Sequence, residues 1–455
     1  MSRVVRRSAA ALAVLALAAT ACGNSEEGGS SATTAPPDDA TATTAATGDR
    51  DTFVAIEGVP GVSDDAINFA IIGTRSNNPL GTCILDCYRD GIDAYFAYRN
   101  SEGGIYGRDL VVGEELDDAL SQNQVSALQV ISDGNSFGVF SATLAASGWG
   151  DLDAAGVPTW VWGINANEQA GRQHIFGSLG TPCIECTGRS VPWAVQQLGG
   201  TRVAALGYGI SENSHQCAEA VGASMGLYGE DVGAEVAYLN PDLDFGLPNG
   251  IGPEVTTMKE AGVDFIAMCL DLNGAKTLAQ ELDRQGMGDV PMYHPNTYDQ
   301  QFVAAADGVF DGDVVTVGFR PFEADAEGTP LADFQHWMEE TGSEQTELAM
   351  VGWINADLAF QGLLAAGPEF DRASVVAATN RMEGYTASGL TIPIDWTRQH
   401  SPQSEEARHP GLECTALVRV VDGAFEVMGS AQEPWMCWDN EDRTWSDPEP
   451  EAFTD

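Results

Sequence analysis

Lysine is nearly missing from this chain of 455 residues: Lys259 and Lys276 are the two it has. Basic residues total 21 against 67 acidic ones, a formal net charge of −46. So negative a surface repels phosphate backbones and anionic lipids, which excludes nucleic acid as a partner. Beyond the N-terminal segment, no run reads as long and apolar enough to span a bilayer. The six histidines, His174, His215, His294, His336, His400 and His409, offer no pair at helical metal-binding spacing, and no P-loop or dinucleotide fingerprint occurs. Gly222-Ala223-Ser224-Met225-Gly226 matches the Gly-x-Ser-x-Gly nucleophile pattern. That chemistry needs the serine on a sharp turn directly after a strand, and here it falls within a helix-forming stretch. The expectation is a non-enzyme with no catalytic residue, no cofactor and no metal.

What is present starts with a targeting pattern. Arg3, Arg6 and Arg7 precede an apolar stretch from Ala9 to Ala19, too short for a membrane span. Ala19-Thr20-Ala21-Cys22 then suits either an ordinary signal peptidase site or a lipobox with Cys22 as the lipidated residue, although a lipobox usually has leucine at the position of Ala19. The polar tract that follows, rich in Ser, Thr, Ala, Pro and Gly, favours the lipobox: it cannot bury a core, and ~40 such residues reach ~35 Å, as a membrane tether would.

Cys22 aside, eight cysteines remain: Cys83, Cys87, Cys183, Cys186, Cys217, Cys269, Cys414 and Cys437. An even number in an exported chain reads as disulfides. Cys217 with Cys269 and Cys414 with Cys437 are attractive pairs. The clusters Cys83/Cys87 and Cys183/Cys186 could instead form a four-thiolate site, which an oxidising compartment disfavours. Sequence leaves the pairing open.

A length of 455 residues implies two domains plus extras. From Ala66 onward, apolar runs that read as buried strands alternate with segments of helical periodicity. Ala66 to Gly73 is the first strand. Ile84, Leu85, Tyr88, Ile92, Tyr95 and Phe96 mark a helix ending near Asn100, and Val125, Leu128 and Ile131 mark another. Gly103, Gly104 and Gly107 are explained by one helix stop and one turn into the strand at Leu110-Val111-Val112. A second βα series runs from about Val191 to His294, Val314 to Val317 reads as a crossing strand, and two or three helices lie between Leu331 and Met382. Leu417 to Val427 around Asp422-Gly423 is a hairpin signal. Such alternation implies parallel sheets covered on both faces, in two similar lobes.

Three stretches resemble the type I periplasmic solute-binding proteins, in particular the branched-chain amino acid (Leu/Ile/Val) group of ABC importers. They are Asn100-Ser101-Glu102-Gly103-Gly104-Ile105-Tyr106-Gly107-Arg108, leading into a strand that ends at Asp117-Asp118; Gly156-Val157-Pro158, opening a strand that ends at Gly163-Ile164-Asn165-Ala166; and the Val421-Asp422-Gly423 hairpin. The resemblance covers about Ala66 to Met428. It implies an α/β fold of two doubly wound parallel-sheet lobes joined by three crossing segments. The layout would be a signal peptide over 1–22, a disordered tether over 23–65, lobe 1 over 66–181 and 318–395, lobe 2 over 182–317 and 396–446, and a mobile acidic tail over 447–455.

The resemblance places a ligand in the cleft between lobes, where strand carboxyl ends and helix N-termini converge. In lobe 1 it nominates Ser141, Ala142 and Thr143, whose hydroxyls and amides could hold a carboxylate or cap a helix. It also nominates Gly163 and Asn165, the latter where the family usually has threonine, and Trp162 as a cleft wall or core residue. In lobe 2 it nominates Tyr208 and Ser214, though Glu212-Asn213-Ser214 departs from the family pattern. Asp271, Tyr298 and Asp299 complete the set, with one of the acids pairing a ligand ammonium. The implied partners are a small solute, an ABC permease with its ATPase subunits, and the outer face of the cell membrane through the lipid on Cys22, for a monomer that leaves its solute unaltered. A ligand-sensing lipoprotein that reports to a membrane receptor would carry the same lobes.

Overall fold

Continuous apolar runs such as Ala66-Ile67-Asn68-Phe69-Ala70-Ile71-Ile72 become strands buried on both faces. The computed structural model describes residues 50–401 and 412–454; the signal segment with Cys22, the tether up to residue 49, and His409 lie outside the described residues. Strands β1 (Ala66–Gly73), β2 (Asp109–Asp117), β3 (Gly138–Ala142), β4 (Thr159–Val161) and β5 (Ile175–Gly177) form one all-parallel sheet in the order β2-β1-β3-β4-β5. A second sheet contains β6 (Arg202–Tyr208), β7 (Glu235–Leu243), β8 (Phe265–Cys269), β9 (Met292–His294) and β10 (Val314–Val317), parallel in the order β7-β6-β8-β9-β10. The winding is therefore the same twice. Each lobe has a switch point between its first and third strands, where open α/β sheets collect ligands.

The second sheet is extended by antiparallel strands: β11 (Leu412–Val421) pairs β10, β12 (Ala424–Val427) and β13 (Trp435–Asp439) both pair β11, and β14 (Glu449–Glu451) pairs β13. Val314 to Val317, expected as a crossing strand, is thus a full member of this sheet, and the chain crosses after it. The tail expected to be mobile over 447–455 is ordered through residue 454: β14 adds an edge strand, and the Phe453 ring lies 6.3 Å from that of Trp435.

Helix Leu85–Ser101 and helix Glu347–Ala366 cross closely on the first sheet. A Cβ on Gly91 would sit 1.8 Å from the Ala349 carbonyl oxygen, so only glycine permits the approach. Helix Glu347–Ala366 has a mean hydropathy of 1.3 and 20 residues, so a run long and apolar enough to cross a membrane does exist here, contrary to the expectation. It is a core helix, with 83% of that stretch buried. Its polar positions are met inside the fold: Tyr95 donates to Asp357 at 2.7 Å and Asn355 donates to the Tyr88 hydroxyl at 2.7 Å.

Helix Asn123–Asp133 turns the face expected inside toward solvent. Val125 and Leu128 are exposed, while Asn123, Ser126, Ala127 and Val130 are buried. Small residues let this helix lie close to β1 and to helix Trp149–Ala154: a Cβ on Gly148 would meet the Ala127 Cβ at 2.5 Å.

The glycine-rich turn after Leu85–Ser101 does what the spacing implied. Gly104 has φ 65°, and a Cβ there would lie 2.1 Å from the Arg108 carbonyl oxygen. Asn100 and Arg108 have roles the sequence did not reveal. Asn100 bonds both the N–H (2.8 Å) and the C=O (2.9 Å) of Leu110, as an extra strand residue would. Arg108 is fully buried and donates to the carbonyls of Ser63 (2.7 Å), Tyr106 (3.2 Å) and Val54 (2.8 Å). Residues 50–65, expected in the tether, are therefore fastened to the body; Arg50 also pairs with Glu102 at 3.0 Å.

Candidate functional site

The carboxyl ends of the two parallel sheets face each other. The loop after β1 reaches the helix after β8, where Asn273 Nδ2 donates to the Pro79 carbonyl at 3.3 Å. The loop after β4 reaches the helix after β6, where Asn213 Nδ2 donates to the Ile164 carbonyl. Helix Glu212–Val232 and helix Leu272–Arg284 thus aim their N-termini at the first lobe, and both switch points open onto one cleft.

The first lobe's side of this cleft rests on Asp118, the residue after β2, which is buried. One carboxylate oxygen accepts from the Thr74 hydroxyl (2.8 Å) and the Leu120 N–H (2.9 Å). The other accepts from the Thr143 hydroxyl and from Asn123 Nδ2 (3.3 Å). Adjacent Asp117 accepts the N–H groups of Arg75 (3.1 Å), Ser76 (3.1 Å) and Ala119 (2.9 Å). Burial alone would raise its carboxyl, but those hydrogen bonds outweigh it and hold Asp117 at about 2. Sequence marked Asp118 only as part of the Asp117-Asp118 strand end and gave Thr74 no role, although each is the first residue beyond a strand.

The nominated lobe 1 residues do come together, but with their hydroxyls turned inward. Ser141 Oγ accepts the Trp149 indole N–H at 3.0 Å, and Thr143 donates to Asp118. Ala142 is buried and its carbonyl accepts the Thr74 N–H at 2.9 Å. The Trp162 N–H bonds the Ser141 carbonyl at 2.9 Å, and Asn165 Nδ2 donates to the Thr143 carbonyl at 3.1 Å. Trp162, Gly163 and Asn165 remain partly exposed.

In the second lobe, Tyr208, Ser214 and Asp271 form one group. Ser214 Oγ accepts the Tyr208 N–H at 2.7 Å and donates to the Cys269 carbonyl. The Tyr208 hydroxyl lies 3.3 Å from Asp271 Oδ1. Burial and the neighbouring Asp271 both push the Tyr208 hydroxyl up, so it stays a donor. Asp271 also caps its helix, accepting the Gly274 N–H at 2.6 Å. Tyr298 and Asp299 lie apart from this group. Tyr298 donates to Glu323 at 2.7 Å among the rings of Phe319, Phe322 and Phe425, and Asp299 caps helix Gln300–Ala304 through the Phe302 N–H at 2.9 Å. Burial first, then Glu323, pushes the Tyr298 hydroxyl well up.

The eight cysteines form Cys83–Cys87, Cys183–Cys186, Cys217–Cys269 and Cys414–Cys437. Three of these flank the cleft or its crossings. Cys83–Cys87 closes the rim loop onto helix Leu85–Ser101, Cys183–Cys186 lies just past the boundary between the lobes, and Cys217–Cys269 ties the end of β8 to helix Glu212–Val232. Near Cys183, Thr181 donates from N–H (2.7 Å) and hydroxyl (2.8 Å) to Gln399, which ties the chain where it leaves the first lobe to the segment returning to the second. Ser224, of the nucleophile-like pentapeptide, is buried inside helix Glu212–Val232 and donates to the Ala220 carbonyl.

Among solved structures, the substrate-binding protein of a branched-chain amino acid transporter from Streptococcus pneumoniae, in complex with isoleucine, is similar: TM-score 0.64 at 16% identity, covering 80% of this chain and 99% of that one. A fatty acid ABC transporter substrate-binding protein from Thermomonospora curvata gives TM-score 0.64 at 16% identity, over 85% and 97%. A solute-binding protein of an ABC transporter from R. palustris, in complex with benzoate, gives 0.59 at 15%, over 81% and 97%. No curated protein sequence matches. The family description "periplasmic binding protein" matches residues 79–424. Two equally wound lobes meeting across their strand ends are the type I form of that fold, and the chain belongs to the periplasmic binding protein family, whose members bind solutes outside the cytoplasm.

Proposed function

We propose that this chain is the extracytoplasmic solute-binding component of an ABC importer, held on the outer face of the cell membrane by a lipid on Cys22 and acting as a monomer. The supporting observation is the meeting of strand carboxyl ends and helix N-termini across one cleft, through Pro79 with Asn273 and Ile164 with Asn213. The lobes divide as 66–181 with 318–395, and 182–317 with 396–446. A solute contacts both lobes only when they close, so binding shifts the hinge equilibrium and presents a loaded form to the permease and its ATPase subunits. A micromolar site needs about −8 kcal/mol, within reach of a few hydrogen bonds and apolar burial.

The solute is a small polar molecule, an amino acid or a related compound. Trp162, Gly163 and Asp271 are partly exposed at the cleft and are its contacts; Asp271 suits an ammonium group. Neighbours of the same fold are described with isoleucine, with benzoate and as a fatty acid transporter component, so an apolar body is compatible with this architecture. A thermal-shift screen of amino acids, amides and small acids tests the reading. One class should raise the melting temperature, the compound should be recovered unchanged, and Trp162→Ala should weaken it. No shift from any class, or recovery of a converted product, would sink it.

A further inference from the structure

Three helices follow β6, β8 and β9: Glu212–Val232, Leu272–Arg284 and Gln300–Ala304. The second residue of each carries a side-chain amide, as Asn213, Asn273 and Gln301. Each amide reaches out of the second lobe to the first. Asn213 donates to the Ile164 carbonyl, Asn273 to the Pro79 carbonyl at 3.3 Å, and Gln301 Nε2 to the Glu344 carboxylate at 2.8 Å. Glu344 lies in the turn before helix Glu347–Ala366, the core helix of the first lobe. All three donors belong to one lobe and all three acceptors to the other. The contacts are spread over the rim loop after β1, the loop after β4 and the turn before that helix.

We infer that Asn213, Asn273 and Gln301 form a solute-independent latch that holds the two lobes closed. The chemistry suits a chain of net charge −46. Arg75 with Asp86 and Glu115, and Arg189 with Glu413, are paired within a lobe, and Arg320, which reaches the Ala431 and Gln432 carbonyls, lies away from these three contacts. A carboxylate at the second helical position would repel an acidic opposite lobe, whereas an amide donates a hydrogen bond and adds no charge. Side chains on a helix lean toward its N-terminus, so a long amide at the second position can reach past the helix end while Ser211, Asp271 and Asp299 satisfy the helix N–H groups. The latch deepens the hinge reading: a closed form populated before solute arrives lowers the work that binding must do.

The test needs no knowledge of the solute. Small-angle scattering of the full chain without additives is compared between the native sequence and N213A/N273A/Q301A; the N-terminal segment is common to both. The triple variant should show a larger radius of gyration, and N213D/N273D a larger one still, with melting temperatures unchanged because the first residue is only partly buried and the other two are exposed. Identical scattering for all three overturns the latch. Once a solute is known, removing the latch should weaken its affinity about three- to tenfold per bond lost. A native chain that compacts with solute while the variants scatter identically refutes the latch alone; a chain that neither binds nor compacts refutes the solute-binding reading.

Discussion

Arg108 Nη2 donates to the carbonyl of Val54 at 2.8 Å, across 54 positions of chain. The same guanidinium donates to Ser63 and sits 4.7 Å from the Phe53 ring. The segment leaving the body is thus pinned beside the start of β2, at the end of the first lobe away from the cleft. Replacing Arg108 by alanine strands these carbonyls without donors and should cost about 2–4 kcal/mol in urea unfolding. Proteolysis within 50–62 should accelerate. Native stability together with an unchanged cleavage pattern would show that the clamp holds nothing.

Glu347 opens the core helix, and burial, with Asp299 adding, pushes its carboxyl up to about 7. The folded state therefore binds a proton between about pH 4.5 and 7 that the unfolded state does not, so this group favours folding as pH falls through that window. Above it, the ionised carboxylate subtracts stability. Glu347→Gln should add about 2–3 kcal/mol at pH 8 and nothing at pH 4. An equal effect at both pH values would mean that the gain is not electrostatic.

His400 carries the opposite slope. Its Nε2 lies 2.6 Å from Asn380 Oδ1, its ring packs on Phe176 and Trp396, and burial holds it down at about 4. As pH falls from 6.5 to 4 the unfolded chain takes up a proton and the fold does not, which removes about 2–3 kcal/mol. Glu347 acts in the opposite sense over an overlapping window, so the two contributions are separated by comparing each variant with the native chain at the same pH. The stability of His400→Gln relative to the native chain should increase as pH falls from 6.5 to 4, and a difference that stays constant over that window would rule out His400 as a source of acid sensitivity.

Strands were legible because buried parallel strands carry apolar runs, whereas the cysteine pairing stayed open in sequence: Cys217 with Cys269 and Cys414 with Cys437 were only attractive pairs, and the placement of Cys414 opposite Cys437 is set by the β11–β13 register. The sites were less legible because one residue type serves two ends. An aspartate just past a strand reads equally as a ligand acid or an N-cap, and Asp271 and Asp299 are both caps. Ser141 and Thr143 were correctly placed at a strand end, but sequence does not give the direction of a hydroxyl, and both point into the lobe. Helix Asn123–Asp133 misled for a related reason: Ser126 and Ala127 pack where bulk would not fit, so its larger apolar residues face out.

Asp118 links the ends of three neighbouring strands, β2 through itself, β1 through Thr74 and β3 through Thr143. These strands surround the first lobe's switch point, and the loops they emit form the cleft rim. Asp118→Asn keeps the shape but turns one acceptor into a donor facing donors, which should cost about 2–3 kcal/mol. Thr143→Val removes one bond of the hub and should cost about half as much. A purely structural hub would lower stability and leave solute affinity alone wherever the protein is folded. A hub that sets the rim should weaken binding as well, by a similar ratio in the two variants, because the rim loops must be ordered before they can close on anything. Folded Asp118→Asn protein with native solute affinity would separate the hub from the cleft it underlies.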